Sequence, residues 1–192
     1  MTDGSTDGVN DGVNDGVAHG MTGPVVPLRR KQNGVARGIG IALGLTIAAA
    51  ILGYSRSAAA TLESRAATLG IAALVLGLWV AAAIGDVARR RFASHGAIDG
   101  RDRADAGVDG ANAVLRNTVE QALLAGLAYT ALTLLSDHAR VPVALFAACF
   151  SAGRLLFWTG YRDGAEARSL GFGLTFYPSI AALLMAAMAL VG

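Results

Sequence analysis

Apolar residues are grouped along this chain in five long runs, separated by short segments rich in arginine, aspartate and glycine. The runs cover Val35–Tyr54, Ala66–Ala88, Ala113–Leu135, Val141–Thr159 and Gly171–Val191. Each run is close to the ~20 residues that an α-helix needs to cross about 30 Å of hydrocarbon. A water-soluble amphipathic helix keeps one polar face, and none of these runs has one. The pattern therefore predicts an all-α integral membrane protein with five transmembrane helices.

Composition and charge further restrict the kinds of protein and of site that this sequence can form. Hydrophobic residues make up 54% of the 192 residues and charged residues only 16%, and the mean hydropathy is +0.49. The arginines lie between apolar runs instead of forming one basic surface with interleaved aromatic residues, so nucleic-acid binding is not expected. His19, His95 and His138 are far apart, and Cys149 is the only cysteine. The sequence therefore predicts neither a metal site nor an internal disulfide.

The N-terminal segment has a different character from the rest of the chain. Residues 2–20 repeat a four-residue unit around Asp3, Asp7, Asp11 and Asp15. A segment so rich in aspartate and glycine cannot bury a core, so we expect residues 1–28 to form a disordered acidic tail. A calcium-binding loop is not expected, because the repeat lacks the distal glutamate and the flanking helices of an EF-hand.

The positive charges between the runs predict the orientation of the chain. Eleven lysines and arginines fall on the side of the N-terminus, and three, Arg56, Arg65 and Arg140, fall on the other side. The positive-inside bias then puts the N-terminus in the cytoplasm and the C-terminus outside. The long polar segment of about residues 89–110 is predicted to be a cytoplasmic connection, either a solvated linker or a flap over a site. The alanine- and glycine-rich composition favours a bacterial inner membrane.

Charged and polar side chains also occur inside two of the apolar runs. Arg116, Asn117 and Glu120 share one face of the third helix because they are three and four residues apart. An unpaired charge in a membrane helix costs roughly 2.5–3.5 kcal/mol on insertion scales, so these groups should face protein or a wet cavity. The fourth run contains Arg154, and Tyr161 follows seven residues later on nearly the same face. Two interpretations remain open: a clamp of Glu120 with Arg154 or Arg116 that only fixes helix packing, or a site for an anionic ligand, which the excess of arginine favours.

Three motifs follow one another on successive predicted helices. They are Arg116-Asn117-x-x-Glu120, the segment GRLLFWTGY from Gly153 to Tyr161, and the segment RSLGFGLTFYP from Arg168 to Pro178. In this order they resemble the MAPEG family, the membrane-associated proteins in eicosanoid and glutathione metabolism, in a bacterial-type member. The resemblance runs from about Leu69 to the C-terminus. It implies a four-helix bundle of residues 66–192 that assembles as a homotrimer in the lipid bilayer, with residues 35–54 as an extra N-terminal transmembrane helix.

The resemblance also implies a ligand and the residues that hold it. Glutathione would bind as a co-substrate between subunits in the cytoplasmic half of the membrane, in contact with Arg116, Asn117, Glu120, Arg154 and Tyr161. Glu120 is suited to the amino group of glutathione. Arg168 matches the arginine proposed in catalytic members to stabilise the thiolate, and Ser169 matches a serine implicated in some of them. The implied function is that of a glutathione-dependent transferase or peroxidase acting on an apolar electrophile from the membrane.

Besides this first function, a second and a third stay open at this point. The second is that of a non-catalytic lipid-binding or scaffold membrane protein of the same fold, since the family also contains members that bind lipid without chemistry. It is favoured by Phe172, which stands where some catalytic members have a tyrosine, and by Leu115, where some members have a histidine. The third is that of a small transporter, which ranks last because the chain shows no inverted internal repeat.

Overall fold

The structure is a computed structural model that describes residues 28–93 and 106–191. This part of the chain forms five α-helices: α1 Leu28–Arg56, α2 Leu62–Ala93, α3 Ala106–Leu135, α4 Arg140–Thr159 and α5 Ala165–Val191. All five are long and apolar enough to cross a membrane. The predicted all-α membrane fold and its five membrane-spanning helices are confirmed. The predicted acidic tail lies outside the described residues, apart from its last position.

Several helices extend beyond the apolar runs that predicted them. α1 begins at Leu28 instead of Val35, α2 continues to Ala93, and α3 begins at Ala106. The predicted connection of about residues 89–110 is therefore helical at both ends, and its centre, residues 94–105, lies outside the described residues. Apolar runs mark only the part of a helix within the hydrocarbon, whereas polar turns can continue it. Arginines in the last turn of α2 also interact favourably with the negative end of the helix dipole.

Helices α2 to α5 form a bundle in which α2 packs against α3 and α4, and α5 packs against the same two helices. Large aromatic side chains fill its centre. Tyr129 of α3 stacks on Phe146 of α4 with ring centroids 6.3 Å apart, and both side chains are fully buried. This core joins α3 to α4, about two helical turns along α4 from Arg154.

Two glycines bring the backbones of α4 and α5 into direct contact. A Cβ atom at Gly153 would lie 2.8 Å from the carbonyl oxygen of Gly171, and a Cβ atom at Gly171 would lie 2.7 Å from the carbonyl oxygen of Gly153. No residue with a side chain fits at either position without moving the helices apart. Because Arg154 directly follows Gly153, this contact sets its guanidinium between α3 and α5.

The first helix packs on the outside of α5 and α4. Small residues four apart on α1 face the first half of α5, and this contact, here the α1–α5 seam, joins Gly34 to Glu166, Gly38 to Ser169 and Ala42 to Gly173. Near the other end of α1, Gly53 packs against Pro142 at the start of α4. The opposite face of α1 carries exposed apolar side chains suited to lipid, among them Ile41 and Ile47. α1 is thus packed along the length of the bundle.

Candidate functional site

Arg154 is the largest fully buried side chain in the described part of the protein and is only 1% exposed. Its Nη1 donates hydrogen bonds to Asn117 Oδ1 at 3.0 Å and to Thr118 Oγ1 at 3.3 Å. Its Nη2 donates to Thr175 Oγ1 at 3.1 Å, while Nε has no partner among the described atoms. All three acceptors are neutral, and no described carboxylate pairs with this guanidinium. No carboxylate of residues 28–93 or 106–191 therefore neutralises this charge, which is shared among neutral acceptors.

The two threonine hydroxyls are prepared to accept from Arg154. Thr118 Oγ1 donates its own proton to the carbonyl oxygen of Val114 at 2.7 Å, and Thr175 Oγ1 donates to that of Phe172 at 2.8 Å. Each hydroxyl oxygen thus presents lone pairs to the guanidinium. Neither threonine is predicted from the sequence, because a threonine in a helix commonly bonds only its own preceding turn and carries no signal of a distant partner.

Aromatic rings connect Arg154 to Arg168. Arg154 Cζ lies 4.5 Å from the centroid of the Phe157 ring, and the centroids of Phe157 and Tyr161 are 5.7 Å apart. Arg168 Cζ in turn lies 4.8 Å from the centroid of Tyr161. Guanidinium groups over ring faces at these distances are held by cation–π attraction. Three predicted site residues, Arg154, Tyr161 and Arg168, therefore belong to one stack at the end of α4.

The three predicted residues of the third helix line one cavity of about 570 Å³, here the α3 groove. Arg116 and Glu120 are exposed in the single chain, and Asn117 is half-buried. Arg91 from the end of α2 and four further α3 residues complete the walls: Asp109, Asn112, Ala113 and Leu115. Asn117 lines the groove and also accepts from Arg154. Its side chain thereby joins the open groove to the buried guanidinium.

The predicted clamp of Glu120 with Arg154 or Arg116 is not formed between the described side chains. Glu120 lies on the exposed groove side of α3, whereas Thr118 lies on the buried side and reaches Arg154. The helices are tied together at this level through neutral acceptors instead. Glu120 and Arg116 thus remain available to a ligand or to a neighbouring molecule.

Tyr161 also lines a second cavity of about 380 Å³ at the ends of α2, α3 and α4, here the end cavity. Its polar and aromatic walls include Asp86, Arg90, Trp158 and Arg162. Asp86 Oδ2 accepts from Arg90 Nε at 2.8 Å, which fixes the arginine beside the cavity. Asp86 is not among the predicted site residues, although a carboxylate inside an apolar run is itself a signal of a functional or paired group.

Ser169 lies apart from both cavities. Its hydroxyl donates to the carbonyl oxygen of Glu166 at 2.7 Å and faces Gly38 in the α1–α5 seam. Because consecutive residues of an α-helix are about 100° apart, Ser169 and Arg168 lie on different faces of α5. The structure brings Arg154 to Asn117 and Arg168 to Tyr161, and it leaves the Ser169 hydroxyl under α1.

A model of one protein family matches the part of the chain that carries these residues. The model is that of the MAPEG family, and it matches residues 66–188, which is more than half of the chain. The chain belongs to the MAPEG family. The match begins within α2 and ends near the end of α5, so all three motifs of this MAPEG protein lie inside it, and α1 precedes it. No curated protein and no solved structure matches the chain.

Proposed function

We propose that this MAPEG protein is a membrane-bound glutathione-dependent transferase or peroxidase that acts on apolar electrophiles. The observation that carries the proposal is the buried guanidinium of Arg154, which has no described carboxylate partner and is joined through Asn117 to the α3 groove. A buried charge without a counter-ion is costly. An anionic ligand in the adjoining groove offsets that cost.

The α3 groove offers a partner for each charged group of glutathione, which carries two carboxylates and one ammonium group, and its wall also carries Asp109. Arg116 and Arg91 on its walls are suited to the carboxylates, because a guanidinium forms paired hydrogen bonds with a carboxylate. Glu120 is suited to the ammonium group, and the Asn117 amide to the peptide backbone. Arg154 orients Asn117 through their hydrogen bond. Tyr161 lines the separate end cavity, so we assign it to a ligand contact only in the assembled trimer.

We further propose a homotrimer in which a neighbouring subunit covers the α3 groove. Arg116 and Glu120 are exposed in the single chain although α3 spans the membrane. Charges at such positions face protein or a wet cavity, so a second subunit is the natural cover. The arginine distribution supports a cytoplasmic N-terminus, and the alanine- and glycine-rich composition supports a bacterial inner membrane. We propose residues 66–192 as the family bundle, residues 35–54 as the added helix and residues 1–28 as a tail.

Arg168 is the residue we assign to the reacting thiol. A thiol with a pKa of about 8.5 is only a few per cent thiolate at neutral pH, and a nearby guanidinium favours the thiolate. In the transferase reaction the sulfur electron pair forms a bond to the electrophilic carbon while the leaving group departs with its bonding pair. In the peroxidase reaction the sulfur attacks one peroxide oxygen and the O–O bond breaks. The alkoxide takes up a proton, and a second glutathione converts the sulfenic product to a disulfide and water.

We assign Ser169 a smaller part than Arg168 in stabilising the thiolate. Its hydroxyl would reach a thiol beside Arg168 only after turning away from the α1–α5 seam, where it now donates to Glu166. Stabilisation of the thiolate is therefore assigned first to Arg168.

The test uses the full chain purified in detergent. Glutathione binding is measured by calorimetry, and turnover is measured with a chlorinated dinitrobenzene and with a lipid hydroperoxide. We expect the wild type to bind glutathione and to turn over at least one of the two, whereas Arg168→Ala binds glutathione and loses most of the turnover. Arg56→Ala, an exposed arginine at the other end of the bundle, serves as the control and should behave as the wild type. Absence of glutathione binding by the wild type would overturn the proposal.

A specific observation favours a second candidate function, that of a non-catalytic lipid-binding or scaffold protein of the same fold. The Ser169 hydroxyl is buried against α1, and Phe172, three residues later, has no hydroxyl that could replace it. Glutathione binding by the wild type without turnover of either substrate would support this second function.

A further inference from the structure

An apolar groove between α2 and α4 lies at the opposite end of α4 from Tyr161 and the end cavity. Its volume is about 670 Å³. The walls are mostly small or apolar side chains of the two helices: Thr68, Ile71, Ala72, Val75, Val141, Ala144, Ala147, Ala148 and Ser151. Arg140, the first residue of α4, lines the outer end of this α2–α4 groove. The small side chains at positions 144, 147 and 148 leave a trough where larger ones would close the helix pair.

A tryptophan separates this groove from the end cavity. Trp79 Nε1 donates to Ser151 Oγ at 3.3 Å, at the inner end of the α2–α4 groove. The Trp79 ring also contacts Trp158 with centroids 6.2 Å apart, and Trp158 lines the end cavity. The two cavities therefore meet at a pair of indole rings and do not form one site.

The length of the α2–α4 groove corresponds to one leaflet of a bilayer. From Arg140 to Ser151 the helix rises about 17 Å at ~1.5 Å per residue. Half of the ~30 Å hydrocarbon thickness is about 15 Å. A groove that begins at a helix end near the headgroups thus reaches about the midplane, which is the depth of one acyl chain.

The charge at the mouth of the groove is free to bind an anion. Arg140 is exposed and has no ion-pair partner among the described residues. Arg65, at the same end of the bundle, is engaged, because its Nη1 donates to the carbonyl oxygens of Thr133 at 2.7 Å and Ser136 at 2.6 Å. A guanidinium with free donors above an apolar trough is complementary to a phosphate above an acyl chain.

We propose that the α2–α4 groove binds one phospholipid of the adjacent leaflet, with an acyl chain along Ala144 and Ala148 and the phosphate on Arg140. The α2–α4 groove shares no lining residue with the α3 groove or the end cavity, so the site is independent of the proposed glutathione site. The bound lipid fills the trough between α2 and α4 and replaces side-chain packing there.

Native mass spectrometry of the full chain in detergent tests this site. The probes are dioleoyl phosphatidylglycerol and dioleoylglycerol, which has the same chains without the phosphate. We expect the wild type to retain one phosphatidylglycerol per subunit and no dioleoylglycerol. Arg140→Gln should weaken retention by about tenfold, as expected for the loss of one charge-assisted contact. Ala148→Leu, which fills the trough, should weaken it to a similar extent.

Two matched variants serve as controls. Arg56→Gln removes an exposed arginine that does not line the groove, and Ala73→Leu enlarges an exposed α2 residue outside its walls. Both should retain lipid as the wild type does. Because Arg140 is exposed, Arg140→Gln tests the headgroup contact even if Ala148→Leu fails to fold.

Two results would overturn the proposal. The first is equal retention of the two probes, or retention that Arg140→Gln leaves unchanged, which indicates only nonspecific lipid around the helices. The second is an altered subunit number in Ala148→Leu with unchanged lipid retention, which indicates that a second copy of the chain occupies the groove.

Discussion

The Arg154 guanidinium donates a 3.0 Å hydrogen bond to Asn117 Oδ1, and this contact connects a fully buried charge with a groove that is open at the surface of α3. The guanidinium cannot contact a ligand in the groove directly. Its electric field and the orientation of the Asn117 amide nevertheless act on such a ligand. In the poorly hydrated interior such a field is weakly screened. The contact thus provides both a positive potential and a fixed hydrogen-bonding group on one wall of the groove.

Replacement of this buried charge should weaken ligand binding while the protein still folds. In Arg154→Met the side chain keeps much of its length and loses its charge. Thr118 and Thr175 keep the backbone acceptors they already have, so no buried hydroxyl proton is left without a partner. We expect a stability loss below about 2 kcal/mol and a loss of glutathione affinity of about tenfold or more.

Thermal unfolding and calorimetric titration of the same detergent sample measure the two effects. Arg56→Met, at an exposed arginine remote from the α3 groove, is the control for the loss of one positive charge. Arg154 would be a packing residue only, contrary to our proposal, if Arg154→Met lowered stability strongly while the remaining folded protein bound glutathione with unchanged affinity.

The exposed carboxylate of Glu120 should select the amino group of the ligand. The wild type is expected to bind glutathione more tightly than N-acetylglutathione, because acetylation removes the ammonium charge. Glu120→Gln should weaken glutathione binding by about tenfold and abolish the preference, since a neutral amide attracts both ligands alike. Competition binding with the two peptides measures the ratio.

Glu63→Gln provides the matched control, because Glu63 is an exposed glutamate in the first turn of α2, away from the groove. A ratio that stays the same in Glu120→Gln and Glu63→Gln would assign the ammonium group to another residue.

The sequence predicted the helices and the helix faces of the site for one physical reason. In a membrane, length and apolarity alone mark a spanning helix, and charges such as Arg116 or Arg154 stand out against an apolar background. Because successive spans alternate in direction, the start of α3, the end of α4 and the start of α5 lie at the same end of the bundle. The sequence thus predicts Arg154 and Asn117 in one site, and in the structure the two side chains share a hydrogen bond.

The hydrogen-bond partners of the buried charged side chain could not be predicted from the sequence in the same way. Arg154 has neutral acceptors, Asn117, Thr118 and Thr175, because helix rotation and the close approach at Gly153 decide which side chains it meets. The burial of Ser169 under α1 was also missed. Small residues on α1 permit close packing, but nothing in their spacing says which helix they contact.

Removal of Arg168 should shift the pH dependence of turnover. In the proposed function, the Arg168 guanidinium favours the thiolate of bound glutathione and so lowers the pKa of its thiol. Without it that pKa rises, and the rise of kcat/KM with pH should move to higher pH by about one unit. Arg168→Ala should show the full shift, and Arg168→Lys, which keeps the charge, should show a smaller one.

The pH–rate profile with the chlorinated dinitrobenzene gives the midpoint directly, and the same profile for Arg56→Ala serves as the reference. A lower rate with an unchanged midpoint in Arg168→Ala would mean that Arg168 positions the substrate and does not stabilise the thiolate.

The packing at the α1–α5 seam predicts how two glycine substitutions change the stability of the protein, whatever its function. A Cβ atom at Gly38 would overlap the Ser169 hydroxyl, whereas a Cβ atom at Gly40 meets no atom within 4 Å. Gly38→Ala should therefore cost about 1–3 kcal/mol through overpacking, while Gly40→Ala should be neutral or slightly stabilising because alanine favours the helix. Thermal unfolding of the two variants in one detergent compares them. Ser169→Gly introduced into Gly38→Ala should restore part of the lost stability, because it removes the hydroxyl that the new methyl group meets. Strictly additive effects of the two substitutions would show that α1 does not contact α5 at this point.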